Sequence, residues 1–307
     1  MSHPLLDRAA IRTVLFDGAM GTELMARGLQ PGGVPELWNI ERPEDVKGVH
    51  EAYFEAGADV VSTNSFGASP IKLAAHGLEA RTYELNFAAA RLARESAPPG
   101  RFVAGSVGPT GKFLKPQGPC LEEEFVAAFA EQARGLADGG AHVFIVETQY
   151  DLREALAALR GIRSVSALPV FVTMTFSAFP RGYYTIMGDS AAKAAAELGR
   201  AGAAAVGANC TLASDQMAGC VRALRAATSL PLVAQANAGQ PVAAPDGTIG
   251  YTQSLEDYTR FVPDIVAAAN SACRRLGLPE QSPEAVRGMI GGGERKLIER
   301  LVGPSHQ

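Results

Sequence analysis

The sequence predicts a parallel α/β fold closed as a (β/α)8 TIM barrel, and three observations carry that expectation. Short runs rich in Val, Ile and Phe recur at the spacing of a βα unit. Each is followed by a stretch rich in Ala, Leu, Glu and Arg, residues that favour helix. The runs are almost continuously apolar instead of alternating, as strands covered on both faces are.

In chain order the runs are "TVLFDG" (13–18), "ADVVSTN" (58–64), "RFVAGSVG" (101–108), "HVFIVET" (142–148), "PVFVTMTF" (169–176), "AAVGANC" (204–210) and "PLVAQAN" (231–237). Seven clear units and one irregular one fit a count of eight. After the helix-like "LEDYTRFVPDIVAAA" the chain offers two poor candidates for the eighth strand, near Ser271–Cys273 and near Gly288–Gly291. No Pro/Gly/Ser-rich linker or low-complexity segment divides the chain. One domain over residues 1–307 is therefore expected, with an atypical closing segment from about 270.

Composition narrows the partners. The net charge is −4 and no Lys/Arg block occurs, which argues against a nucleic-acid surface. No apolar run is long enough to span a bilayer and "MSHPLLDRAAIR" has no signal-peptide core, so a soluble, cytoplasmic protein acting on a small molecule is expected. Cys120, Cys210, Cys220 and Cys273 lack paired spacing and read as reduced thiols. No Rossmann or P-loop fingerprint is present.

Every run turns polar or Gly-rich where it ends: Asp17-Gly18, Thr63-Asn64, Gly105-Ser106, Glu147-Thr148, Thr175, Asn209-Cys210, and Asn237 with Gly239. In a barrel these ends converge on one mouth, where such folds keep their chemistry. Each residue also has an ordinary reading. Asp17 and Glu147 could cap the following helices, and Cys210 alone could be a small core residue. The glycines of "DGAMGTE" could be turn residues or could bare peptide N–H groups for an anion. His50, His76 and His142 sit away from the strand ends and read as core or surface histidines.

Six strings in order, "LFDGAMGTELMARG", "ELWNIERPEDVKGVHEAYFEAGADVVSTNSFGAS", "GSVGPTG", "VETQYDLREALAA", "GANC" and "NAGQP", resemble the homocysteine S-methyltransferase family over about residues 12–270. That family includes betaine- and S-methylmethionine-dependent enzymes and the homocysteine-binding barrel of cobalamin-dependent methionine synthase. The resemblance implies a barrel in which zinc activates the thiol of homocysteine for methylation. It assigns Cys210 to a zinc-ligating position with a catalytic role. Glu147 matches the residue that holds the substrate ammonium, Gly18, Ala19 and Met20 the backbone that receives its carboxylate, and Asn237 an asparagine beside the metal. Thr63 and Asn64 match the second-strand motif that lines the pocket, and Asp17 joins the expected substrate-binding mouth by its place at a strand end.

The family closes its barrel with a "GGCC" stretch that supplies two further thiolates, and this sequence has no Cys-Cys pair. Only Cys273 lies near one register of that stretch, and "MIGGG" (289–293) occupies the other without a thiol. Cys210, Cys273 and Asn237 would form an unorthodox zinc set. Without metal, an alkyl thiol of pKa about 8.5 is only a few per cent thiolate at pH 7, and full ionisation is worth about 2 kcal/mol. Three functions stay open. The protein is an S-methyltransferase acting on homocysteine or a related thiol, with an altered or absent zinc site and an unidentified donor. Alternatively it exchanges methyl groups with a corrinoid or folate on a partner protein, or it is a non-catalytic amino-acid-binding relative.

Overall fold

The computed structural model of the protein describes residues 3–239, 241–243 and 249–276. They form two compact units, one of residues 15–172 and one of the remaining described residues. The chain starts with α1 (Pro4–Ile11), where His3 Nδ1 accepts the Leu5 N–H at 3.3 Å and proline occupies the first turn.

In the unit 15–172, the first apolar run is present as a parallel bridge, Phe16 to Val60, with the Asp17 N–H donating to Val60 O at 3.0 Å. Then follow α2 (Met20–Ala26), α3 (Trp38–Glu41), α4 (Pro43–Glu55), β1 (Val60–Ser62), α5 (Pro70–Leu73), α6 (Thr82–Ser96), β2 (Phe102–Val107), α7 (Glu122–Asp138), β3 (Val143–Gln149), α8 (Leu152–Arg163) and β4 (Val170–Met174). β1 pairs with β2 in parallel from Val60↔Phe102 to Ser62↔Ala104, and β2 with β3 from Ala104↔Val143 to Val107↔Val146. The apolar runs are buried on both faces, as expected: Val143, Phe144, Ile145 and Val146 are all fully enclosed. Helix residues Leu85, Phe125, Phe129 and Leu136 are equally buried. Burying side chains of this size is worth about 1.5–3 kcal/mol each, so these residues dominate the unit's stability.

In the other unit, an antiparallel hairpin of β5 (Ser177–Phe179) and β6 (Gly182–Tyr184) follows β4. Next come α9 (Ala191–Arg200), β7 (Ala205–Ala213), α10 (Ser214–Arg225), β8 (Leu232–Asn237), a second hairpin of β9 (Pro241–Ala243) and β10 (Ile249–Tyr251), α11 (Leu255–Arg260) and α12 (Val262–Leu276). β7 and β8 pair in parallel from Val206↔Leu232 to Asn209↔Gln235, then shift before Ala213↔Asn237. Their close approach needs the glycine of "GANC": a Cβ on Gly207 would lie 2.0 Å from the carbonyl oxygen of Val233.

The βα order is that of a (β/α)8 barrel. Six of the seven apolar runs are strands and the first is the bridge at Phe16. One expectation is corrected: Ser271–Cys273 lies in α12, not in a strand. The Ala-rich "VAAANSACRRL" continues the helical pattern, and Pro263 sits in the first turn of α12, where its missing N–H costs nothing. The alternative register near Gly288–Gly291 lies outside the described residues. Among the described residues, no helix is long and apolar enough to cross a membrane.

Candidate active site

Two carboxylates stand at strand ends in the unit 15–172. Asp17 follows the bridge at Phe16 and is 9% exposed. Its Oδ2 accepts the Ser62 N–H at 2.7 Å and its Oδ1 the Ser62 hydroxyl at 3.0 Å. Burial pushes its pKa up to about 8, against the pull of the Ser62 bonds, and the charge of Glu147 raises it further. Glu147 lies near the end of β3, half-buried as a residue but with its carboxyl group enclosed. Its Oε1 accepts the Ser106 hydroxyl at 2.6 Å. Burial raises its pKa as well, and the Ser106 bond opposes that rise.

The charge of Glu147 raises the Asp17 pKa, and an ionised Asp17 would oppose the ionisation of Glu147 equally. Among the described residues neither carboxylate pairs with a Lys, Arg or His side chain. A cationic ligand would satisfy both.

Beside Asp17 the chain passes Gly18 and Ala19 into α2 at Met20. Ala19 precedes the helix in extended conformation without a side-chain cap, and its carbonyl accepts the Tyr53 hydroxyl at 3.1 Å. The residue after Glu147, Thr148, has φ 61°, a left-handed conformation that is costly for a β-branched side chain and is found mainly at functional sites.

Thr63 and Asn64 turn their polar groups into the protein. Thr63 Oγ1 accepts the Ser106 N–H at 2.9 Å and shares a 2.6 Å hydrogen bond with Ser65 Oγ. Asn64 Nδ2 donates to Pro35 O at 2.8 Å and to Asn39 Oδ1 at 3.0 Å. Both residues are buried. Ser62, absent from the sequence reading, and Ser106, noted there only as a strand end, are the donors that hold the two carboxylates.

In the other unit, Cys210 sits in β7 with φ 60°, followed by Thr211 at φ 59°. These left-handed residues fall where the β7–β8 register shifts. The Asn209 amide donates to Cys210 Sγ at 3.3 Å, and Asn209 Oδ1 in turn accepts the Thr173 hydroxyl at 2.9 Å. Thr175 Oγ1 donates to the Asn209 carbonyl at 3.3 Å. Asn237 is half-buried at the end of β8. Gly239 has φ 84°, and a Cβ there would lie 2.1 Å from Thr252 Oγ1. Cys220, by contrast, is buried in α10 with its thiol pushed up to about 12 by burial, the signature of an inert core cysteine.

Among the described residues no group of three or more His, Cys, Asp or Glu side chains is arranged to hold a metal ion. The Cys273 side chain and residues 277–307 lie outside the described set. The described donors therefore do not make up a zinc site, and no chemical step is routed through one below.

The geometry thus defines a parallel α/β protein with polar strand ends and two enclosed carboxylates held by serine donors. The family model for homocysteine S-methyltransferase matches residues 14–293, and the chain belongs to that family. That match includes the "MIGGG" stretch at 289–293. The chain is 33% identical over 262 residues to the methionine synthases of Mycobacterium leprae and Mycobacterium tuberculosis. These alignments take in 79% of this chain but only 21% and 22% of those proteins, so the chain spans about a fifth of their length. The crystal structure of the homocysteine methyltransferase MmuM from Escherichia coli, in its metallated form, is similar with a TM-score of 0.70 and 28% identity. The similarity covers 87% of this chain and 92% of that one.

Proposed function

We propose that the protein transfers a methyl group to the thiol of homocysteine or a closely related amino-acid thiol, forming methionine or its analogue. The observation that carries this reading is Asp17 and Glu147, two enclosed carboxylates with serine donors and, among the described residues, no Lys, Arg or His partner. An α-ammonium group is the ligand such a pair recognises. The peptide groups of Gly18, Ala19 and Met20 receive the α-carboxylate, as the family resemblance suggests. Fixing both ends of the amino-acid head restricts where the sulfur can swing, which is the larger part of what an enzyme adds to a displacement of this kind.

In the reaction the sulfur attacks the methyl carbon of the donor. A sulfur–carbon bond forms as the donor–methyl bond breaks, the bonding pair leaves with the donor, and the thiol proton passes to solvent. Cys210 and Asn237 occupy the positions that the resemblance places beside the metal in relatives.

A second reading is favoured by the lengths of the methionine synthases, which extend well beyond the region this chain matches. In it the methyl group comes from a corrinoid or folate carried by a partner protein. Incubation with homocysteine and, separately, S-methylmethionine, betaine, a methylated corrinoid or a methylated folate, followed by mass detection of methionine, tests both readings. Methionine from the small donors supports the first and from the carriers alone the second. Failure to bind homocysteine and to form methionine with any donor overturns both.

A further inference from the structure

The edge of β2 is completed in an unusual way. The last main-chain bond from the β1 side is the Thr63 N–H to Ala104 O, at 2.9 Å. A continued parallel ladder would place the carbonyl of residue 63 and the N–H of residue 65 opposite the peptide of Ser106. The chain instead turns there, with the Ser65 N–H donating to Thr63 O at 2.9 Å.

Side chains of the same two residues take over the ladder positions. The Ser106 N–H donates to Thr63 Oγ1 at 2.9 Å, and the Ser65 hydroxyl donates to Ser106 O at 2.7 Å. Ser65 has thereby used its one proton, so in the 2.6 Å contact between the two hydroxyls Thr63 is the donor. The result is a closed, directional ring: Ser106 N–H to Thr63, Thr63 to Ser65, Ser65 to Ser106 carbonyl. Gln132 on α7 braces it, donating to Ser65 O at 2.8 Å. Thr63, Ser65, Ser106 and Gln132 are each at most 2% exposed, so water cannot replace any of these bonds cheaply.

We propose that Ser106 is a positioning residue for substrate capture, held by the Thr63–Ser65 ring so that its hydroxyl fixes one oxygen of Glu147 and leaves the other for the substrate ammonium. This rests on the reading of Glu147 given above. Among the described residues the Ser106 hydroxyl bonds to Glu147 Oε1 alone, so the ring serves to aim a single donor. Among the described residues the titratable group that interacts with the charge of Glu147 is Asp17, which is held separately by Ser62.

The experiment uses the full chain. Ser106→Ala is expected to weaken homocysteine binding about tenfold, as loss of a charge-assisted hydrogen bond does. The loss should fall on KM rather than kcat, leave the affinity for a homocysteine analogue lacking the amino group unchanged, and be restored by Ser106→Thr. Because the Ser106 bond lowers the Glu147 pKa, the acid limb of binding should move to higher pH in the alanine variant. If that variant does not fold, Thr63→Val carries the test: it breaks the ring, keeps the Ser106 hydroxyl, and should weaken homocysteine but not the desamino thiol. Unchanged homocysteine affinity, equal loss for the desamino thiol, or an unmoved acid limb overturns the proposal. Glu147→Gln separates the two levels. If it binds homocysteine normally the ammonium reading itself fails, whereas a weakened Glu147→Gln beside a normal Ser106→Ala overturns only the positioning role.

Discussion

Glu147→Gln removes one negative charge while keeping the side chain's shape and an oxygen that can still accept from Ser106. Two unit charges about 4 Å apart interact by roughly 4 kcal/mol at an effective dielectric constant near 20. Desolvation of the incoming ammonium takes back part of that. Hydrogen bonds to charged groups contribute about 1.5–3 kcal/mol net, which corresponds to roughly 10–150-fold in affinity. The structure places the outcome in the lower half of this range, because Asp17 compensates. With Glu147 neutral, the repulsion that helps hold the Asp17 pKa near 8 is relieved, and Asp17 ionises more readily to meet the ligand alone.

Calorimetry on both forms with homocysteine and with its desamino analogue isolates the ammonium contribution. Homocysteine should bind roughly ten- to thirtyfold more weakly to the variant, and the desamino thiol equally to both. The variant should be no less stable to urea than the parent, since a buried carboxylate has been replaced by a neutral amide that keeps the acceptor for Ser106. Equal affinity for homocysteine, or the same loss for the desamino thiol, refutes the reasoning.

Asp17, raised from 3.8 to about 8, holds a proton in the folded protein that the unfolded chain has lost, so its stabilising contribution is present below about pH 4 and is lost as pH rises to about 8. Urea titrations across that window should show a decline that Asp17→Asn removes. His50 acts in the opposite sense: fully buried, with neither ring nitrogen hydrogen-bonded among the described residues and its pKa lowered to about 4, it costs stability as pH falls from 6.5 toward 4, and His50→Leu should flatten that acid limb. Protein purified without chelator should carry zinc in less than one-to-one ratio, because the sequence offers Cys210 no Cys-Cys partner pair; tight equimolar zinc lost on Cys210→Ala, measured by elemental analysis, would refute this.

The barrel order was legible because buried strands declare themselves as short, continuous apolar runs, and all seven runs mark a parallel segment. The first run fell short of a strand, and its pairing reduces to Phe16 against Val60. The hairpin of β5 and β6 was missed for the converse reason. Ser177–Phe179 is exposed throughout, so no buried face imposes a period on its sequence. Position along a strand also singled out the candidate residues, since Asp17, Glu147, Cys210 and Asn237 each lie at the end of a run. Their partners were not legible. Ser62 reaches Asp17 across 45 residues of chain and Ser106 reaches Glu147 across 41, contacts with no local signature. Thr63 illustrates the ambiguity that remains in any strand-end hydroxyl. The same residue type can face a ligand or complete an open strand edge, and only the ring with Ser65 and Ser106 distinguishes the two.

That ring bears on why the protein tolerates two acids in one enclosed place. Burial of Asp17 and Glu147 raises both pKa values, and each serine offsets part of the cost by donating to the charged form. With its pKa near 8, Asp17 holds a proton at neutral pH. An ammonium ligand favours two carboxylates and so must displace that proton. Binding then releases a proton to the buffer, and the apparent enthalpy measured by calorimetry at pH 7 must vary with the buffer's own ionisation enthalpy. The desamino thiol, which brings no cation, releases none. A proton count near zero for homocysteine would mean that the pair is already ionised before the ligand arrives, and the site would then have to be stabilised by something other than the two serines.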